Sequence, residues 1–151
     1  MSAKISDCGQ YRYTLTRGDA PRLCFVMLNP STADATLDDP TIRRCLGYAK
    51  REGCAGLEVL NLYALRATNP ADLWKHHDPV GPDNDRELYW AASRYMRMVA
   101  AWGANAKPCR VKQVRNILEG NGITLFHLGL TKDGSPKHPL YLRADAPLEL
   151  L

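Results

Sequence analysis

Apolar residues gather in two unbroken runs, Leu23-Cys24-Phe25-Val26-Met27-Leu28 and Met98 to Trp102, and two further strand-like segments, Leu57 to Leu62 and Ile123 to Leu128, set a few polar residues among apolar ones. A continuous run of this length is the pattern of a strand covered on both faces. Tyr11-Arg12-Tyr13-Thr14-Leu15 alternates instead, as an edge strand or hairpin arm does. Between the runs the spacing turns helical. Asp39 is a good N-cap with Pro40 at the first helical position, and Ile42, Leu46 and Ala49 follow until Gly53 stops the helix. A second helix is expected from Asp83 or Asn84 through Leu88, Ala92 and Tyr95, and a third from Val111 to Leu118, ended by Glu119-Gly120-Asn121-Gly122. The loop from Ala67 to Asp83 far exceeds the usual connection of about 4–6 residues. The β-α-β-α-β-α-β order predicts an α/β domain whose parallel strands are joined by right-handed crossovers and covered by helices on both faces.

Composition narrows this picture. The 151 residues contain no repeat or low-complexity linker, so one domain over residues 1–151 is expected. A chain of this size buries roughly 70% of its unfolded surface and needs no staple. Five cysteines without a C-x-x-C pair argue against a disulfide framework and a standard zinc site, and Cys24 in an apolar run reads as core rather than as a cluster ligand. Adjacent His76 and His77 lack the i, i+4 spacing of paired metal ligands. Asp34, Asp38 and Asp39 form an acidic loop in which a helix cap already accounts for Asp39, so no metal and no cofactor is assigned. The net charge of +4 suits an anionic partner without requiring one, with small basic groups at Arg43-Arg44, Lys50-Arg51 and Arg94 to Arg97. No apolar run approaches the ~20 residues of a membrane span. The first residues lack the apolar stretch of a signal peptide, so a cytoplasmic location and no membrane partner are expected.

In a parallel sheet, ligands collect outside the carboxyl ends of the strands. Here those ends deliver Asn29-Pro30-Ser31-Thr32, Asn61-Leu62-Tyr63, Trp102-Gly103-Ala104-Asn105 and, after the fourth strand, Lys137-His138-Pro139. The block from Phe25 to Asp34, followed by Asp39-Pro40-Thr41-Ile42-Arg43-Arg44-Cys45, resembles the signature of the bacterial domain-of-unknown-function family 1643. More distantly, the ordered set Asn29-Pro30, Asn61, Trp102-Gly103 and His138-Pro139 is similar to the strand-end motifs of the uracil-DNA glycosylase superfamily, with Asn29 as in its mismatch-specific branch. That second resemblance implies a three-layer sandwich around four parallel strands in the order 2-1-3-4. It also implies catalytic Asn29 and His138, and substrate contacts from Pro30, Ser31, Thr32, Asn61, Tyr63, Trp102 and Gly103. A nucleic-acid-binding loop of Lys137, Leu140, Tyr141 and Arg143 completes the set, although Leu140 stands where that superfamily has a serine.

The chemistry suits those residue types. Cleaving an N-glycosidic bond needs a held water on one side of the sugar and hydrogen-bond donors beside the departing base. Asn29 can orient the water through its amide oxygen but cannot take its proton, so general-base help worth about 10²–10⁴ in rate is missing. His138 can donate to the leaving base, and Asn61 offers one donor and one acceptor to a pyrimidine-like edge. Each residue also has a structural reading: Asn29-Pro30 as a strand stop, Asn61 as a turn cap, His138 as a loop histidine, and Trp102 as core. The expected partner is a nucleobase, a nucleotide or single-stranded nucleic acid. The rival expectation is a non-catalytic binding module using the same cleft.

Overall fold

The computed structural model describes residues 1–31 and 33–151. Its strands are β1 (Ser2–Ile5), β2 (Arg12–Gly18), β3 (Arg22–Met27), β4 (Gly56–Asn61), β5 (Arg97–Ala100), β6 (Thr124–His127) and β7 (Glu149–Leu150). Its α-helices are α1 (Pro40–Arg51), α2 (Asn84–Ala92) and α3 (Pro108–Glu119). Among the described residues the strands form one mixed, seven-stranded sheet in the order β1-β2-β4-β3-β5-β6-β7. The four strand-like segments become β3, β4, β5 and β6, and β4-β3, β3-β5 and β5-β6 are parallel pairs.

The expectation of four strands, all parallel, is corrected at both flanks. β2 pairs antiparallel with β4 and with β1, and β7 pairs antiparallel with β6. Tyr11 to Leu15 therefore does not end the sheet, because β1 covers β2. β1 has four residues with no buried face and β7 has two, too few to leave a period in the sequence.

Alternation along β3 and β4 sends side chains to two cores. Leu23, Phe25, Met27, Leu57 and Val59 pack on Ile42, Cys45 and Tyr48 of α1. Cys24, Val26 and Leu60 pack on the opposite face with Leu88 of α2 and Val114 and Leu118 of α3. Helices thus cover both faces of the sheet. α1 begins as its sequence predicts: Asp39 Oδ1 accepts from the Ile42 N–H at 2.9 Å, and Pro40 occupies the first turn. α2 stops at Ala92 rather than reaching Tyr95. Glu58, buried in β4, accepts from Arg94 Nη2 and from the Tyr95 hydroxyl, each at 2.5 Å, and both residues turn out of the helix to reach it. α3 starts earlier than its apolar spacing suggests because Pro108 is tolerated in a first turn. The long loop is anchored by a 3₁₀ helix, Pro70–Lys75, whose Leu73 is fully buried. No helix among the described residues is long and apolar enough to cross a membrane.

Candidate functional site

The carboxyl ends of β3 and β5 and the segment after β6 meet around a cleft of 530 Å³. Asn29, Ser31, Trp102, Gly103, Lys137, His138, Leu140 and Tyr141 all border it, with Thr41 and Asn105 beside them. No aspartate or glutamate is among its lining residues.

Asn29 follows β3 by two residues. Its Nδ2 donates to the carbonyls of Ala67 at 2.8 Å, Pro30 at 2.9 Å and Leu65 at 3.4 Å. Three acceptors around one end of the amide fix which atom is nitrogen. Oδ1 is left with no donor from the described residues. His138 caps a second 3₁₀ helix, Pro139–Tyr141, where its Nδ1 accepts from the Leu140 N–H at 3.3 Å. With Nδ1 occupied as an acceptor, the neutral ring carries its proton on Nε2. Burial pushes the His138 pKa below the ordinary imidazole value of 6.5, and the nearby Asp39 charge opposes the shift. Two residues of the cleft's lining thus each keep one polar atom without a partner among the described residues, an acceptor on Asn29 and a donor on His138.

Trp102 is 3% exposed and walls the cleft. The next residue, Gly103, has φ +74°, and its N–H donates to Pro136 O at 2.7 Å, tying the end of β5 to the turn that leads into Lys137 and His138. A Cβ on Gly103 would meet open space, so backbone conformation rather than room calls for glycine.

The remaining sequence-derived candidates stand apart from this cleft. Pro30 is buried and outside its lining. Asn61 is 1% exposed and also outside the lining, and neither Nδ2 nor Oδ1 has a hydrogen-bond partner. Tyr63 is buried edge-on against Trp74, with its hydroxyl accepting from the Lys107 N–H at 3.3 Å. Arg143 lies in a neighbouring groove and pairs with Asp145 at 3.2 Å. Thr32 lies outside the described residues.

Sequence reasoning misses the residues that hold the site's walls. Arg17, 2% exposed, donates to Asp38 Oδ1 at 2.6 Å, to Leu37 O at 3.2 Å and to Asp34 O, and so carries the loop between β3 and α1. Arg12, equally buried, donates to Ala33 O at 2.8 Å, and burial lowers its pKa to about 10. Asn84 Nδ2 donates to Asn61 O at 3.0 Å and Leu62 O at 3.1 Å, fixing the end of β4. Nothing in the sequence marks the two arginines, because the loop residues that their guanidinium groups hold, Ala33, Asp34, Leu37 and Asp38, lie far from them along the chain.

A larger cleft of 740 Å³ lies between α3 and the turn at residues 133–136, sharing Trp102 with the first. Its ionic groups are mostly engaged already. Arg115 pairs with Glu119, and Asp133 is held by Thr131 and by the Ser135 N–H. The larger cleft keeps the Lys112 and Asn116 side chains unengaged among the described residues, but the Asn29 cleft lies at the carboxyl ends of β3 and β5 and brings together residues from several strand ends, which makes it the stronger candidate. Among the described residues no group of three side chains is placed to hold a metal ion.

Residues 12–140 match the family described as protein of unknown function (DUF1643). Neither the curated proteins nor the solved structures contain a match to the chain.

Proposed function

The chain belongs to the protein of unknown function (DUF1643) family, and from that premise we propose that the Asn29–His138 cleft binds a nucleobase carried by a nucleotide or nucleic acid and hydrolyses the N-glycosidic bond that joins it to the sugar, in the manner of a uracil-DNA glycosylase-like enzyme. One observation carries the reading: Asn29 and His138, distant in sequence, border one cleft, each with one polar side-chain atom held by the backbone and the other without a hydrogen-bond partner among the described residues. The order β4-β3-β5-β6 of the parallel pairs supports it, being the strand order that the glycosylase resemblance implies. Trp102 and Gly103 support it by bordering the same cleft.

In this mechanism Asn29 Oδ1 accepts a hydrogen bond from a water and aims its oxygen at C1′ of the sugar. The new C1′–O bond forms as the C1′–N bond breaks, and its electron pair leaves with the base. His138 Nε2–H donates to the base oxygen on which that charge collects. The water's surplus proton goes to solvent or to the departing base, because an amide cannot take it at neutral pH. Asn61, buried outside the cleft's lining with both amide atoms unpartnered among the described residues, is the base-reading residue that the glycosylase resemblance implies. An unpaired buried polar group costs about 1–3 kcal/mol, and a ligand edge with one donor and one acceptor would relieve both atoms.

The lack of a carboxylate in the lining favours a second reading, a module that binds the same ligand without turning it over. Incubation with uracil-containing, mismatched and modified oligonucleotides and with free nucleosides, read by mass spectrometry for released base, separates the two. Base release that disappears in His138→Ala supports hydrolysis. Binding without release supports the module, and neither binding nor release overturns both.

A further inference from the structure

We propose that the groove beside the cleft, floored by α1, binds a phosphate of the same ligand, so that the substrate class is a phosphate-bearing nucleotide or strand rather than a free nucleoside. The groove is lined by Pro40, Arg43, Arg44, Gly47, Tyr48 and Leu140. Leu140 borders the cleft as well, and Thr41, between Pro40 and Arg43, is also a cleft residue. Cleft and groove are thus neighbours across one side chain.

Neither arginine has a carboxylate partner among the described residues. Arg43 reaches only Asp38 O, at 3.4 Å, and Arg44 donates to Leu142 O at 3.1 Å. The nearby acids are engaged elsewhere: Asp39 caps α1, Asp38 pairs with Arg17, and Asp145 pairs with Arg143. Lys137, on the cleft's own wall, likewise forms no ion pair among the described residues. Two guanidinium groups over a groove that holds no carboxylate match the geometry of a phosphate, which accepts paired N–H donors. Gly47 keeps the groove open, since a Cβ there would meet nothing within 4 Å. Tyr48 holds the other side in place, its hydroxyl donating to Arg143 O at 2.6 Å.

This proposal rests on the cleft being a base site, and the test separates the two. The probes are a short labelled single strand of thymidylate, an abasic strand of equal length, thymidine 5′-monophosphate and thymidine, with binding followed by fluorescence anisotropy or calorimetry. The proteins are the unaltered chain, Arg43→Gln and the charge-retaining Arg43→Lys. The expected result is that the monophosphate binds at least about tenfold more tightly than thymidine. Arg43→Gln should weaken the strand and the monophosphate but not thymidine, and should reduce the slope of log K against log salt by about one. Arg43→Lys should keep the salt slope while losing part of the affinity. Equal binding of both strands, weakened equally by Arg43→Gln, keeps the phosphate groove and overturns the base site. Strand and monophosphate affinities unchanged in Arg43→Gln overturn the groove whatever the cleft binds. Circular dichroism of Arg43→Gln, expected to match the unaltered chain because Arg43 is exposed, excludes misfolding as the cause of a loss.

Discussion

At position 29 an amide nitrogen faces three carbonyl oxygens, so the side chain there is structural as well as chemical. Asn29→Ala removes those bonds, and although Pro30 O keeps the Ala67 N–H, the loss at the other carbonyls should cost about 1–3 kcal/mol in a denaturant melt. Asn29→Asp is more telling, since it supplies a general base but sets a carboxylate against three acceptors. The acid must then stay protonated in the folded chain, which raises its pKa above the unfolded value. A raised pKa gives stability that is present below the ordinary carboxylate range and lost as pH rises through the folded value. The melting temperature of Asn29→Asp should therefore match the unaltered chain near pH 4 and fall below it at neutral pH. An equal deficit at both pH values would show that the carbonyl contacts do not govern this position. His138 titrates with the other sign. Its pKa is lowered, so its contribution is complete above 6.5 and fades as pH falls through the folded value, where protonated Nδ1 no longer accepts from Leu140. Side-chain NMR should place its titration below 6.5 and below that of a histidine in a peptide, and a value above 6.5 would contradict the burial argument.

The loop from residue 33 to residue 38 is held from outside itself, by Arg17 on β2. Arg17→Met should release that loop. A loss of roughly 1.5–3 kcal/mol is expected for hydrogen bonds to a charged group, at the lower end because Asp38 is 32% exposed and keeps its water. Gly47 lies inside α1 with helical backbone and open space at its Cβ, so Gly47→Ala should stabilise by about 0.5–1 kcal/mol in the same melt. The elements that are plain in the sequence are those with a local signal of their own: the cap of α1 at Asp39-Pro40, and the unbroken apolar run of β3. The end of α2 is hidden, because Arg94 and Tyr95 leave the helix for Glu58, a buried carboxylate that lies far from them along the chain. Asn29 and His138 are readable because a polar residue closing an apolar strand, or preceding a proline, stands out from its surroundings. Arg12 and Arg17 are not, since they are buried against the loop between β3 and α1, which lies far from them along the chain.

Taken as one body, the chain carries +4, and three of its cations without an ion pair among the described residues, Arg43, Arg44 and Lys137, lie around the cleft and the groove beside it. Single-stranded nucleic acid should bind at least as well as duplex, because Leu140 and Tyr141 form a short exposed turn rather than a wedge and flipping a paired base costs a few kcal/mol. Both affinities should fall steeply between low and physiological salt, and tight, salt-insensitive duplex binding would contradict this. The larger cleft beside α3 supplies an internal rival to the site, which a sequence reading has no means to weigh. A titration of the isotopically labelled chain with thymidine 5′-monophosphate, following the Asn29 side-chain amide and the His138 ring together with Val111 and Asn116 of the α3 cleft, decides between them. Asn29 and His138 are expected to shift along one binding curve while Val111 and Asn116 stay still. Shifts confined to Val111 and Asn116, or no shift at any of the four at millimolar ligand, would contradict a nucleotide site at the carboxyl ends of β3 and β5.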